Sequence, residues 1–306
     1  MPGVAGNRYF NSWFEEETDT RPAMKPTCEL INTYEVLEHV MGISGLHPHR
    51  LDTVRAMRRK LVNHVMNHAS LGEGVVLDIG CGSGAGTREL ANLLTNGQRV
   101  IGLDINDKAI GSARRLHGAQ ANLSFYHGDL RNLLADNPGL RISAAMSISV
   151  SMFISELVDF YSDIYHALLD GGLFIDAPFM FRNEHVQNSE EFTKRTYAAC
   201  GCNMKMFHRD QLEIKLREAG FHHIESIEHD FDLMKLSVLF KDYRPQYLFS
   251  NFLRNVVSPP PHFSGISSRY LFSRTSQIFF FFLKHRRMYS SGEFITVKSM
   301  DALANL

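Results

Sequence analysis

Asp78, Gly80, Gly82 and Gly84 stand at alternate positions in the stretch Val75 to Leu90, VVLDIGCGSGAGTREL. Their types and spacing describe a ligand site built largely from backbone. Val75-Val76-Leu77-Asp78 reads as a buried strand that ends in a carboxylate, and Ala85 to Leu90 opens a helix. Between the two the chain must turn sharply with no Cβ in the way, which glycine allows. The first N–H groups of the helix have no partners of their own and face into the turn. A turn that holds nothing would also use glycine, so the residues downstream have to decide.

Those residues supply further polar groups. Val100 to Asp104 is a second short apolar run ending in an acid, twenty residues beyond Gly84. At this point of a βαβ unit a carboxylate accepts hydrogen bonds from ribose hydroxyls. A third run, Leu123 to His127, leads into Gly128-Asp129-Leu130. Three successive strand ends thus place polar groups on one edge of a sheet, where open α/β folds bind ligands.

With these residues the chain resembles the class I S-adenosylmethionine-dependent methyltransferases of the small-molecule type. The resemblance rests on Asp78-Ile79-Gly80-Cys81-Gly82-Ser83-Gly84, on Asp104 and on Gly128-Asp129-Leu130. It also rests on Leu168-Leu169-Asp170-Gly171-Gly172-Leu173-Phe174, similar to the family's Pro-Gly-Gly turn with Asp170 in place of the proline. The matching region runs from Val75 to Asp230. It implies an α/β fold: a doubly wound, mostly parallel Rossmann-like sheet that binds S-adenosylmethionine and transfers its methyl group. It also implies cofactor contacts from Asp78, Gly80, Cys81, Gly82, Gly84, Asp104, Ile105, Gly128, Asp129, Leu130 and Ser147. A nicotinamide enzyme is the rival, since Gly80 to Ala85 fits a loose G-x-G-x-x-A pattern. Asp78 argues against it, because a carboxylate beside a pyrophosphate is unfavourable, whereas it suits a ligand with an ammonium and a sulfonium.

The acceptor side is where the chain departs from part of that family. Nucleic-acid and glutamine-amide methyltransferases carry an Asn/Asp-Pro-Pro-Tyr-like motif after the fourth strand, and this chain has Ser147-Ile148-Ser149-Val150. The departure points to a small-molecule acceptor and leaves no evident general base in the motif. Ser149 and Met152 are expected at the acceptor, with Tyr9 and Trp13 from an N-terminal aromatic cluster as a lid. His47, His49 and Asp176 are the candidate catalytic groups, although Asp176 reads equally as a hydrogen-bonded carboxylate at a strand end. His64 and His68 share a helix face and invite a metal reading with His47 and His49. Fifteen histidines make such a pair expected by chance, so no metal is assigned.

The 306 residues, 44% hydrophobic and 21% charged, suffice for a globular core. A net charge of −1 creates no field that would recruit nucleic acid. Cys28, Cys81, Cys200 and Cys202 are too few and scattered for a disulfide framework, which suggests a reduced, cytoplasmic setting. The opening MPGVAGNRYFNSW has no signal-peptide pattern, and no apolar run approaches the roughly 20 residues of a membrane span.

Hydrophobic patterning predicts strands at 75–78, 99–104, 122–127, 142–148, 173–176, 222–229 and 293–297. Helices are expected at 85–95, 107–117, 155–169 and 209–219. The expected organisation is an N-terminal helical cap (1–70), a cofactor-binding core (71–230), a helical insert (231–292) and the last strand with the C-terminus (293–306). The insert is aromatic and basic, with Phe279-Phe280-Phe281-Phe282 flanked by Arg274 and Lys284 to Arg287. Consecutive phenylalanines cover every face of a helix, so this one would roof an apolar pocket, pack against a second copy or lie on a membrane surface. The expected function is methylation of a small apolar or aromatic metabolite, of the kind that tailors a biosynthetic product. The alternative is a protein of the same fold that binds the cofactor while catalysing a cyclisation or serving as a partner subunit.

Overall fold

The computed structural model describes residues 48–94, 97–181, 205–229 and 289–298. The chain forms two compact units, one of residues 1–11, 55–230 and 290–306, the other of residues 12–54 and 231–289. Nearly all described residues belong to the first. Tyr9, Trp13, His47 and the run Phe279–Phe282 lie outside the described residues.

In chain order the elements are a helix Pro48–Asn67 (α1), strand Val75–Ile79 (β1), helix Ala85–Leu93 (α2), strand Val100–Asp104 (β2), helix Asp107–His117 (α3) and strand Leu123–His127 (β3). Helix Leu130–Asp136 (α4), strand Ile142–Ile148 (β4), helix Leu157–Ala167 (α5) and strand Leu168–Ala177 (β5) follow. Strands Phe179–Phe181 (β6) and Phe207–His208 (β7), helix Arg209–Glu218 (α6) and strands His223–His229 (β8) and Tyr289–Val297 (β9) complete them.

All five residues of β1 are buried, as a central strand covered on both faces requires. β1 pairs in parallel with β2 on one side and β4 on the other, β2 with β3, and β4 with β5. β9 runs antiparallel between β5 and β8. Because the winding reverses at β1, the loops after β1 and β4 diverge above the sheet and open a crevice at their carboxyl ends. Alternate residues point to opposite faces. Leu77, Ala145 and Phe174 pack with Tyr161 of α5 and Leu212 and Leu216 of α6. Val76, Ala144, Met146 and Ile175 pack with Met57, Leu61 and Val65 of α1 and Leu90 of α2.

The short strands β6 and β7 are additions to the expected elements, and three further details differ. Helix α4 has too few residues to show a periodicity, and it forms around a capping box between Asp129 and Asn132. Strand β5 begins at Leu168, so the expected turn at Asp170-Gly171-Gly172 is a bulge within it. Ile142 faces Leu168 and Ala144 faces Leu173, with Gly171 at φ +77 absorbing the extra residues. Strand β9 begins at Tyr289, ahead of the expected Glu293. Among the described residues no helix is long and apolar enough to cross a membrane.

Candidate cofactor and acceptor site

The turn after β1 holds three glycines at positive φ: Gly80 at +71°, Gly82 at +56° and Gly84 at +84°. The amides of Gly80 and Cys81 both donate to the carbonyl of Leu103, at 2.7 and 3.0 Å, which ties the turn to β2. A Cβ on Gly80 would come within 2.3 Å of Val150 Cγ2, and one on Gly84 within 2.6 Å of the Phe125 ring. Among the described residues, a Cβ on Gly82 would meet nothing within 4 Å. Gly80 and Gly84 are therefore small because protein packs on them, and Gly82 presents bare backbone to open space.

Asp104 ends β2 beside this turn. Its Oδ2 accepts from the Gly82 amide and its Oδ1 from the Asn106 amide, both at 2.9 Å. Burial pushes its pKa up, against the pull of those amides and of nearby His127. The Ile105 amide bonds Asp104 as well, and since a carboxylate has about four acceptor positions, room remains for a further donor. Ile105, the next residue, is 50% exposed. At the end of β3 the Gly128 amide donates to the Asp104 carbonyl at 2.9 Å, bringing the two strand ends together. Asp129 accepts from the Asn132 amide at 2.8 Å as the cap of α4, and Leu130 is buried.

Residues 76–172 match a family model described as a methyltransferase domain. Over about a third of the chain the core is thus similar to a methyltransferase domain, on the Rossmann-like α/β sheet described above. Over 246 residues the chain is 27% identical to the sterol 24-C-methyltransferase of Clavispora lusitaniae, covering 75% of this chain and 63% of that protein. The chain thus spans less than two thirds of the length of such curated relatives. Among solved structures, it is similar to phosphoethanolamine N-methyltransferase 2 of Haemonchus contortus in complex with S-adenosyl-L-methionine, with a TM-score of 0.59 and 18% identity. That match covers 91% of this chain and 61% of the other. The cyclopropane synthase of Mycobacterium tuberculosis gives a TM-score of 0.58 at 13% identity, over 79% of this chain and 83% of that one. At these identities the structural likeness is one of fold.

Within this core, several residues expected at the ligand are buried or nearly so. Asp78 is 7% exposed and accepts from Thr87 Oγ1 of α2 at 2.8 Å. Burial raises its pKa, while the Arg58 guanidinium of α1 and the Thr87 hydroxyl favour the charged form. Arg58 is itself paired with Glu89 of α2, so these groups lock the first turn of α2 to the end of β1. Asp78 is thus nearly buried at the foot of the turn, with its Oδ2 committed to the Thr87 hydroxyl. The half-buried Cys81 thiol has its pKa pushed well up by burial and by Asp78 and Asp104, so it stays protonated.

Ser147 is fully buried and donates to Asp176 Oδ1 at 2.5 Å. Asp176, expected to face the acceptor, is also fully buried, and its Oδ2 accepts from the Tyr161 hydroxyl at 2.6 Å. The reason lies in the strand alternation: Asp176 shares the face of Phe174, which α5 covers. Burial raises the Asp176 pKa, opposed by its hydroxyl partners. Ser149, on the loop that enters the crevice, sits at φ +59, and its amide donates to the Ala177 carbonyl at 3.0 Å. Met152 is buried in the following 3-10 turn. His49 falls in the first turn of α1. His64 Nε2 lies 2.8 Å from the Gly171 carbonyl oxygen, and His68 Nδ1 lies 2.6 Å from the His64 carbonyl.

The structure therefore brings the glycine turn, Asp104, Ile105, Gly128 and Ser149 to one edge of the sheet, leaves Asp78 nearly buried under the turn, and fully buries Ser147 and Asp176. Arg58, Thr87, Val150 and Tyr161 are not among the residues the sequence singles out. A tyrosine in an otherwise apolar stripe was a readable signal, because a buried hydroxyl needs a partner.

Proposed function

We propose that this chain transfers a methyl group from S-adenosylmethionine to a small apolar metabolite, with a sterol-like side chain the first acceptor class to test. The observation that carries the reading is the open backbone at Gly82 lying against an Asp104 carboxylate that keeps acceptor capacity beyond its backbone amides. That acceptor fits a nucleoside whose ribose presents hydroxyls, and exposed Ile105 offers an apolar surface to its base. Gly80, Gly82, Gly84 and Asp104 hold the cofactor in this reading, and Ile105 with Gly128 to Leu130 flank it. Asp78, Cys81 and Ser147 act from inside, by fixing the turn and the strand ends.

When bound, the cofactor supplies a methyl group already activated on a sulfonium. The chain's own task is then alignment and the exclusion of water. An electron-rich carbon can take the methyl before it gives up a proton, which is compatible with a loop of Ser147-Ile148-Ser149-Val150 that holds no base. The similarity to a sterol 24-C-methyltransferase supports a carbon acceptor of this sort. Tyr9, Trp13, His47, His49, Ser149 and Met152 remain the acceptor-side candidates. The aromatic segment 231–292 supports an apolar roof over the acceptor, and the same composition suits a second copy or a membrane surface. Scattered cysteines, with Cys81 a free thiol, support a cytoplasmic setting.

The test is incubation of the purified chain with methyl-labelled S-adenosylmethionine and a sterol unsaturated at C-24, with calorimetry against S-adenosylhomocysteine. Labelled sterol and stoichiometric S-adenosylhomocysteine are expected, and they separate methyl transfer from a cyclisation in which the cofactor is only bound. Asp104→Ala should weaken S-adenosylhomocysteine by at least about tenfold, or ~1.4 kcal/mol. Failure of both cofactor forms to bind the wild-type chain would sink the reading.

A further inference from the structure

The carboxyl ends of β4 and β5 enclose a cluster of polar side chains that methyl transfer itself does not call upon. Asp176, Ser147 and Tyr161 are each 0% exposed, and neighbouring Ser151 is 1% exposed. Ser147 and Asp176 face each other in the parallel register, and Tyr161 reaches the second carboxylate oxygen from α5. A carboxylate is costly to keep out of water, and each hydroxyl that bonds it offsets part of that cost. Asp176 is the shared partner of both hydroxyls, so its removal takes a hydrogen bond from each and the carboxylate is the hub of the group.

What that unit is attached to gives it a role. Two residues beyond Ser147, Ser149 is the only non-glycine residue at positive φ among the described residues. Its amide is held by the carbonyl of Ala177, the residue next to Asp176. A serine persists in the left-handed region only where its surroundings over-determine it. This conformation delivers Val150 onto the cofactor turn, where its Cγ2 fills the space that a side chain on Gly80 would need. Ser147 is thus bonded to the Asp176 carboxylate, and the carbonyl that holds Ser149 belongs to the next residue along β5, Ala177.

We propose that Asp176 is a positioning residue: by clamping the ends of β4 and β5 through Ser147 and Tyr161, it presses Val150 against Gly80 and so sets the shape of the cofactor turn. The inference rests on the reading of this domain as one that binds S-adenosylmethionine. It concerns affinity for the cofactor rather than the acceptor, so it can be tested before the acceptor is known.

The experiment is calorimetry with S-adenosylhomocysteine on the full chain and on Asp176→Ala, Val150→Ala and the double variant. Leu212→Ala, buried on the same face of the sheet, serves as a stability control. Asp176→Ala and Val150→Ala should each weaken binding by about tenfold, and the double variant should lose little more than the weaker single one. Asp176→Asn, which keeps an acceptor oxygen for Ser147, should recover most of the affinity. Leu212→Ala should lower the unfolding temperature and leave the affinity, measured well below it, unchanged. The proposal is overturned if Asp176→Ala behaves like Leu212→Ala, or if the Asp176 and Val150 losses simply multiply in the double variant. If Asp176→Ala does not fold, Tyr161→Phe replaces it in the cycle. A loss of about threefold is then expected, and an unchanged affinity would overturn the idea. A wild-type chain that binds no S-adenosylhomocysteine would instead remove the cofactor reading beneath it, an outcome visible before any variant is made.

Discussion

At the scale of single residues, the glycines of one turn answer to different constraints, and alanine separates them. Gly84→Ala would place a Cβ 2.6 Å from the Phe125 ring at a φ of +84°, so steric clash adds to backbone strain. It should cost about 2–4 kcal/mol in urea unfolding. Gly82→Ala meets no neighbour, so its stability loss should stay at about 1 kcal/mol, the left-handed backbone penalty alone. Its methyl would nevertheless occupy the open side of the turn, so S-adenosylhomocysteine binding should weaken while the fold is kept. A binding loss confined to Gly84→Ala would contradict this assignment. Asp78 makes a prediction of the opposite kind. Its folded pKa is raised, chiefly by burial, so folding favours its protonated form. That contribution to stability is present at and below the ordinary carboxylate range and is lost as pH rises through the folded pKa. Asp78→Asn should therefore flatten the decline in unfolding temperature as pH rises above about 4, the ordinary carboxylate value, and parallel curves for the two proteins would refute it.

At the scale of elements, the helix caps sort what was legible from what was not. Helix α3 was readable because Asn106 caps it, accepting from the amides of Lys108 and Ala109, and because Arg114, Arg115 and His117 crowd its last turn. Helix α4 was not, since fewer than two turns carry no periodic signal and Asp129 had been read as a cofactor acid. In the structure Asp129 caps α4, and its side chain is exposed, which leaves the second role open to it. Asp129→Ala should cost about 1 kcal/mol through the lost cap. Asp129→Ser, which restores a capping oxygen without the charge, should recover stability and leave S-adenosylhomocysteine affinity lowered. Full recovery of both would reduce Asp129 to a cap. The bulge in β5 was equally hidden, because Gly171-Gly172 reads as a turn until the pairing of Ile142 with Leu168 shows that the strand has already begun.

At the scale of the whole molecule, β9 closes the sheet from far along the chain. It lies between β5 and β8, with Phe294 1% exposed and Thr296 fully buried. A chain ending at residue 288 would leave the edges of β5 and β8 unpaired and their buried faces uncovered. It should lose cooperative thermal unfolding, and a midpoint equal to that of the full chain would show that β9 is dispensable. The sequence by itself determined the strand–turn–helix at Val75 to Leu90, the acid at Asp104 and the alternation that makes a parallel sheet. All of these are local, since a sharp turn needs glycine and a doubly covered strand needs consecutive apolar residues. Only the tertiary structure decided which of three similar strand-end acids stays available. Asp78, Asp104 and Asp176 look alike in the chain, but Asp78 lies under Thr87 and beside Arg58, and Asp176 under Tyr161. Asp104 alone of the three keeps company with the open backbone of Gly82. Alternation along a strand assigns a carboxylate to one face, and only the packing of helices from elsewhere in the chain settles whether that face is closed.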